Sequence, residues 1–167
     1  MNRRSFAALA TLAVGATVIG ACTREPEYPT ISEIIATNRS LSTLATALLS
    51  SDQVAALSGG GPYTVFAPRN SAFAALPPGT LDDLLLPENR AALDAVLGAH
   101  VVRGAYLATD LINRTTLITT LDGTNFTVNG FDGMSISGAA GGAVTIVQPN
   151  IIASNGVIHV IDGVMLP

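Results

Sequence analysis

The sequence predicts an α+β domain in which N-terminal helices pack with a C-terminal antiparallel, β-sandwich-like core. Three observations carry that expectation. The chain has 167 residues, 49% of them hydrophobic and 12% charged, which suits one sizeable core and is too apolar for a disordered chain. Between Thr30 and Gly98 the apolar residues recur at helical intervals, whereas beyond His100 short β-rich runs alternate with Asp-Gly and Asn-Gly pairs, the pairs favoured in tight hairpins.

The first element lies outside the fold. Arg3 and Arg4 precede an uncharged run from Phe6 to Ala21, a charged, apolar and small-residue succession that fits an export signal better than a permanent membrane span. Ile19-Gly20-Ala21-Cys22 resembles a bacterial lipobox, in which the cysteine takes a diacylglyceryl group and becomes the mature N-terminus. Arg3-Arg4-Ser5-Phe6 looks like a twin-arginine export motif, although paired arginines are also ordinary for the general secretory route. Residues 1–21 are thus expected to be a signal peptide, 22–29 a lipidated cysteine with a polar, twice Pro-interrupted tether, and 30–167 the domain. Thr23, not Asp, follows Cys22, which by the usual sorting rule points to the outer membrane.

Cys22 is the only cysteine, so an internal disulfide and a Cys-based metal site are both excluded. Basic residues number 8 against 12 acidic, and all eight are Arg. Removal of the signal leaves six Arg against twelve acids, and an acidic chain of this kind is no general nucleic-acid binder.

The domain opens with a capping-box spacing, Thr30 and Glu33, followed by Ile31, Ile34 and Ile35, which predicts a short helix. Ser40 can cap a second, with Leu41, Leu44, Leu48 and Leu49 as its apolar stripe and Val54 and Leu57 continuing the pattern. Gly59-Gly60-Gly61-Pro62 stops it. Tyr63 to Ala67 reads as a strand ended by Pro68, and Asn70 offers an oxygen to cap a helix through Leu76. Thr80 can cap another through Leu86, and Glu88 to Leu97 places Leu93, Val96 and Leu97 on one face. The β-rich runs then follow: TTLITTL, TNFTV, MSIS, AVTIV, NIIAS and GVIHVI, with turns expected at Asp122-Gly123, Asn129-Gly130 and Asn155-Gly156.

Two boxes in this order resemble the fasciclin domain, a family of extracellular adhesion modules. Thr64-Val65-Phe66-Ala67-Pro68-Arg69-Asn70-Ser71-Ala72-Phe73 is similar to the family's TVFAPxNxAF, and Ser154-Asn155-Gly156-Val157-Ile158-His159-Val160-Ile161-Asp162 to its closing sNGvIHvID. Ala99-His100-Val101-Val102 stands where the family usually has Tyr-His-Val-Val. The resemblance spans Thr30 to Pro167 and implies a fasciclin-like fold with a role in adhesion or matrix contact. It also implies that His100 helps hold the core, without the ring that Ala99 replaces. Animal matrix members carry an acidic stretch, EPDIM, implicated in integrin binding. The matching positions here are Gln148, Pro149, Asn150, Ile151 and Ile152, with amides for both acids, so integrin engagement is not expected to carry over.

Read as residues, the boxes are a folding signature. Thr64, Phe66, Pro68, Asn70 and Phe73 describe a strand–helix junction, and Asn155-Gly156 a turn into a strand that alternates Val157, His159 and Ile161 with Ile158 and Val160. His100 and His159, the only histidines, could serve as general bases or metal ligands, but each lies in an apolar segment where a neutral imidazole bonds to backbone. Asp82 and Asp83 fall in a first helical turn, where they favour the dipole more simply than they form a catalytic pair. No nucleotide, metalloprotease or serine-hydrolase fingerprint occurs, and three Asn-x-Ser/Thr sequons read as chance in a bacterial lipoprotein. The expected function is a lipid-anchored, non-catalytic module binding a protein or polysaccharide of the envelope or matrix, with no cofactor or metal. An exported hydrolase using His100 or His159 is the alternative, decided by whether either ring reaches a Ser hydroxyl and a carboxylate.

Overall fold

The computed structural model describes residues 28–51, 53, 57, 61–131, 133–138 and 142–166. The expected signal peptide, Cys22 and the tether up to residue 27 lie outside the described residues, as does Val54. No described helix is long and apolar enough to cross a membrane.

Helix α1 spans Ile31–Thr37. The predicted capping box forms, with the Glu33 N–H donating to Thr30 Oγ1 at 3.3 Å and the Thr30 N–H to Glu33 Oε2 at 2.7 Å. A 3-10 turn at Arg39–Leu41 leads into α2, Ser42–Leu49. Ser40 is not the cap: Asn38 Oδ1 accepts the Ser40 N–H at 3.0 Å instead. Leu41, Leu44 and Leu48 are buried, but Leu49 is 80% exposed, because its place next to Leu48 turns it about 100° off the buried stripe.

Strand β1 (Tyr63–Pro68) is followed by α3 (Asn70–Ala74), α4 (Thr80–Leu84) and α5 (Arg90–Ala99). Asn70 and Thr80 each sit one residue inside their helix, so neither caps it; the N-caps are Arg69 and Gly79. Then come β2 (Val101–Arg103), α6 (Ala108–Leu111), β3 (Thr115–Thr119), β4 (Asn125–Asn129), β5 (Ser135–Gly138), β6 (Ala143–Ala153) and β7 (Gly156–Ile161). AVTIV and NIIAS are thus one long strand. The sequence gives no sign of β2, a strand only three residues long.

The strands form one sheet in the order β2-β1-β7-β6-β5-β4-β3. Every neighbouring pair is antiparallel except β1 with β7, which run parallel from Tyr63 opposite Gly156 to Pro68 opposite Ile161. The expected antiparallel core is therefore present, but it recruits β1 from the helical third and curls nearly into a barrel. Its two ends meet where Val102 bridges Thr120 and the Leu121 N–H donates to the Val101 carbonyl at 2.8 Å.

The curl creates two apolar interiors. Val65, Ala67, Ile158 and Val160 face the helices, where Ile31, Leu44 and Leu97 pack on them. Phe66 and Ile161 face the barrel interior with Ile118, Phe126 and Ile136. Strand β7 is buried at all six positions, as expected of a central strand covered on both faces, while β3 to β5 alternate between buried and outward residues.

Candidate functional site

The motif residues converge on the β1–β7 pair. Thr64, fully buried, donates its hydroxyl to the Gly104 carbonyl at 2.7 Å and accepts the Tyr106 N–H at 2.8 Å. The loop after β2 is thereby fastened to β1. Phe66 stacks on His159 with ring centroids 5.5 Å apart and planes inclined by 24°. Phe73, on α3, is buried in the helical core, and Pro68 ends β1, where the Arg69 N–H donates to the Ile161 carbonyl at 3.1 Å.

Both histidines are buried and spent on backbone. His100 Nδ1 lies 2.7 Å from the Val96 carbonyl and Nε2 accepts the Met165 N–H at 2.9 Å, so the first nitrogen must carry the proton. Burial holds its pKa down at about 4, against the upward pull of the Val96 carbonyl. His159 is the opposite tautomer. Its Nε2 donates to the Tyr106 carbonyl at 2.8 Å and its Nδ1 accepts the Asn150 N–H at 3.3 Å. Burial lowers its pKa as well, partly offset by the Tyr106 carbonyl. A second proton on either ring would face an N–H donor, so both stay neutral at pH 7. Among the described residues neither ring bonds to a hydroxyl or a carboxylate, which leaves neither placed as a general base. Among the described residues no group of three His, Cys, Asp or Glu could hold a metal ion.

Asn155 and Gly156 act at the β6–β7 hairpin. The turn itself is Ser154-Asn155, and Gly156 is the first residue of β7. Asn155 Oδ1 accepts the Ile31 N–H at 2.9 Å and its Nδ2 donates to the Leu57 carbonyl at 2.6 Å, so one amide ties the first helix to the closing hairpin. Asn129-Gly130 is not a hairpin turn of positive φ: Gly130 keeps ordinary φ, while Gly133 and Met134 supply the positive values before β5. Gly130 is required because a Cβ there would overlap the Leu111 carbonyl.

The segment from Gln148 to Ile152 lies on β6, where the register with β7 shifts twice. Gln148 and Pro149 are exposed and Ile152 is 54% exposed, while Ile151 packs against the helical core. Asn150 turns left-handed at φ 59°, and its Oδ1 accepts the Ala108 N–H at 2.8 Å. Its side chain therefore holds the start of α6, and its backbone holds His159. Sequence reading missed Asn150 as a structural residue because its partners are 42 and 9 residues away. Beside this segment Ile152, Asn155, Val157 and Pro62 line an open groove of about 540 Å³. Asp82 and Asp83 are exposed in the first turn of α4, as expected of a solvated helix start.

A Fasciclin domain model matches residues 39–167. Protein sll1483 of Synechocystis is 46% identical over 138 residues, covering 83% of this chain and 73% of that protein. A second Synechocystis protein, the uncharacterized sll1735, is 38% identical over 83% of this chain and 98% of its own length. Human periostin is 31% identical over 82% of the chain, a stretch that makes up 16% of periostin. A domain pair from the insect cell adhesion molecule fasciclin I superposes with a TM-score of 0.74 at 19% identity, over 84% of this chain and 51% of the other.

Proposed function

The chain belongs to the fasciclin domain family, and on that premise we propose that it is an exported, lipid-anchored, non-catalytic module that binds a protein or polysaccharide of the cell envelope or surrounding matrix. The observation that carries the reading is how the polar motif residues are used. Thr64, His100, Asn155 and His159 are all engaged by backbone groups inside the fold, so the signature builds a scaffold and leaves recognition to the surface. A module of this kind needs no catalytic constellation.

In this reading residues 1–21 direct export, Cys22 carries the lipid, residues 22–29 form the tether and residues 30–167 the binding domain, held at the outer membrane. Two or more acyl chains at ~0.8 kcal/mol per buried methylene give durable attachment. The amides Gln148 and Asn150 argue against an integrin partner, and the two saturated imidazoles argue against the hydrolase alternative. Two measurements on the full chain test the proposal. Fatty-acid labelling should be lost in Cys22→Ser, and deletion of the gene should reduce adhesion of the cells to surfaces and to one another. Equal labelling of variant and wild type would refute the anchor, and unchanged adhesion would refute the adhesive role.

A further inference from the structure

Arg39 and Arg69, thirty residues apart in the chain, line one surface pocket of about 280 Å³ together with Ser40, Asn70 and Ser71. Asn70 makes the pocket. Its Nδ2 donates to the Arg39 carbonyl at 2.9 Å and to Ser42 Oγ at 3.0 Å, which fixes the 3-10 turn carrying Arg39 beside the start of α3. The main chain at Arg69 is held from the other side, through its backbone N–H on the Ile161 carbonyl. The described residues of the lining are two arginines, two serines and an asparagine, with no acidic residue among them, in a chain of net charge -4. Two arginines bordering one pocket repel each other as like charges, and an anion held by both converts that cost into attraction. Paired arginines with hydroxyl donors are also the set that matches an oxyanion in geometry as well as charge.

The position of the pocket indicates where its ligand comes from. The chain enters the domain at the β6–β7 hairpin, where the Ser154 N–H donates to the Pro29 carbonyl at 3.0 Å and α1 starts on Asn155. Arg69 lies past the opposite end of the six-residue β1, roughly 20 Å along the strand from that entry at about 3.3 Å per residue. A domain tethered through residues 22–29 would thus turn this pocket away from its own membrane.

We propose that the Arg39–Arg69 pocket is an oxyanion site that takes the uronate carboxylates of an acidic polysaccharide. The proposal rests on the tethered, adhesive reading above, because the tether is what orients the pocket outward. The test uses the full lipidated chain in neutral vesicles and measures binding to polygalacturonate, with dextran as the neutral control. Wild type should bind polygalacturonate and not dextran, less tightly as salt rises. Arg39→Gln/Arg69→Gln should weaken binding at least tenfold with an unchanged melting temperature, and Arg39→Lys/Arg69→Lys should recover part of it. Arg103→Gln/Arg114→Gln removes the same charge elsewhere and should change binding less than twofold. Equal losses in the two Gln pairs would overturn the site in favour of diffuse attraction. Polyglutamate or phosphatidylglycerol vesicles bound as tightly as polygalacturonate would overturn the polysaccharide assignment. Wild type bound no better to polygalacturonate than to dextran, with cell adhesion still dependent on the gene, would overturn the ligand class and leave the adhesive reading standing.

Discussion

Asn70 caps a helix to which it does not belong: its Oδ1 accepts the N–H of Thr43, 27 residues earlier, at 3.1 Å in the first turn of α2. Its own helix begins at Asn70 with no side-chain cap. The same amide donates to Arg39 and Ser42, so a residue of the first motif holds together the two helical segments beside β1. Asn70→Ala removes three hydrogen bonds and should cost on the order of 1–3 kcal/mol, seen as a lower denaturant midpoint with an unchanged slope. Asn70→Asp keeps the acceptor and loses both donors, so its midpoint should fall between the two. A midpoint for Asn70→Ala equal to wild type would show that the clamp is not needed.

Stability should fall in mild acid, and His100 should account for much of the fall. Its folded pKa of about 4 lies below the unfolded value of 6.5, so between those values the unfolded chain binds the extra proton and the folded one does not. The contribution is intact above pH 6.5 and is lost progressively as pH drops towards 4, reaching on the order of 3 kcal/mol. His159 is lowered by burial too and adds a loss of the same sign. Urea midpoints at pH 7, 5.5 and 4.5 should decline accordingly, and the His100 ring resonances should not titrate near pH 6.5. A ring titrating at its ordinary value would contradict the buried, neutral state.

Gly156 is fixed by crowding. A Cβ there would overlap the Tyr63 carbonyl, which is backbone and cannot rotate away, at the start of the parallel β1–β7 pairing. Gly156→Ala should therefore cost on the order of 1–3 kcal/mol or more by forcing the two central strands apart. Gly130→Ala, against the Leu111 carbonyl, should behave alike. Thermal melts of both variants check this, and an unchanged Tm in either would remove the steric explanation at that site.

Asn150 serves two partners by different atoms, its side-chain Oδ1 accepting the Ala108 N–H and its backbone N–H donating to His159 Nδ1, and thermal melts of variants at both positions separate the two roles. Asn150→Gly keeps the left-handed backbone and loses only the bond to Ala108, whereas Asn150→Ala also strains the backbone. The alanine variant should be the less stable by about 1 kcal/mol or more. His159→Ala should cost on the order of 1–3 kcal/mol through two unpaired backbone groups and a cavity beside Phe66, with ligand binding falling only as folding falls. A His159→Ala protein that melts like wild type yet no longer binds would make the ring functional instead of structural.

Much of the architecture was legible because it is local. The Thr30–Glu33 capping box, the strand ending at Pro68, the Asp122-Gly123 hairpin and the alternation along GVIHVI each depend on residues a few positions apart, and each stands in the fold. The helix starts assigned to Ser40, Asn70 and Thr80 failed for a common reason. A polar side chain near a helix start has several N–H groups within reach, and spacing alone does not say which one packing will bring closest.

The sequence by itself determined the α+β class, most of the helices and strands, the motif wording and the apolar setting of both histidines, since periodicity and turn chemistry are carried by near neighbours, whereas the three-residue β2 and the four-residue α6 are too short to show a period. Only the tertiary structure decided that β1 would pair parallel with β7, that the sheet would curl until Val102 met Thr120, and that Arg39 and Arg69 would share a pocket. Those relationships join residues 18 to 93 positions apart, and they are set by how two apolar interiors close around the central strands. No pattern along the chain records that closure.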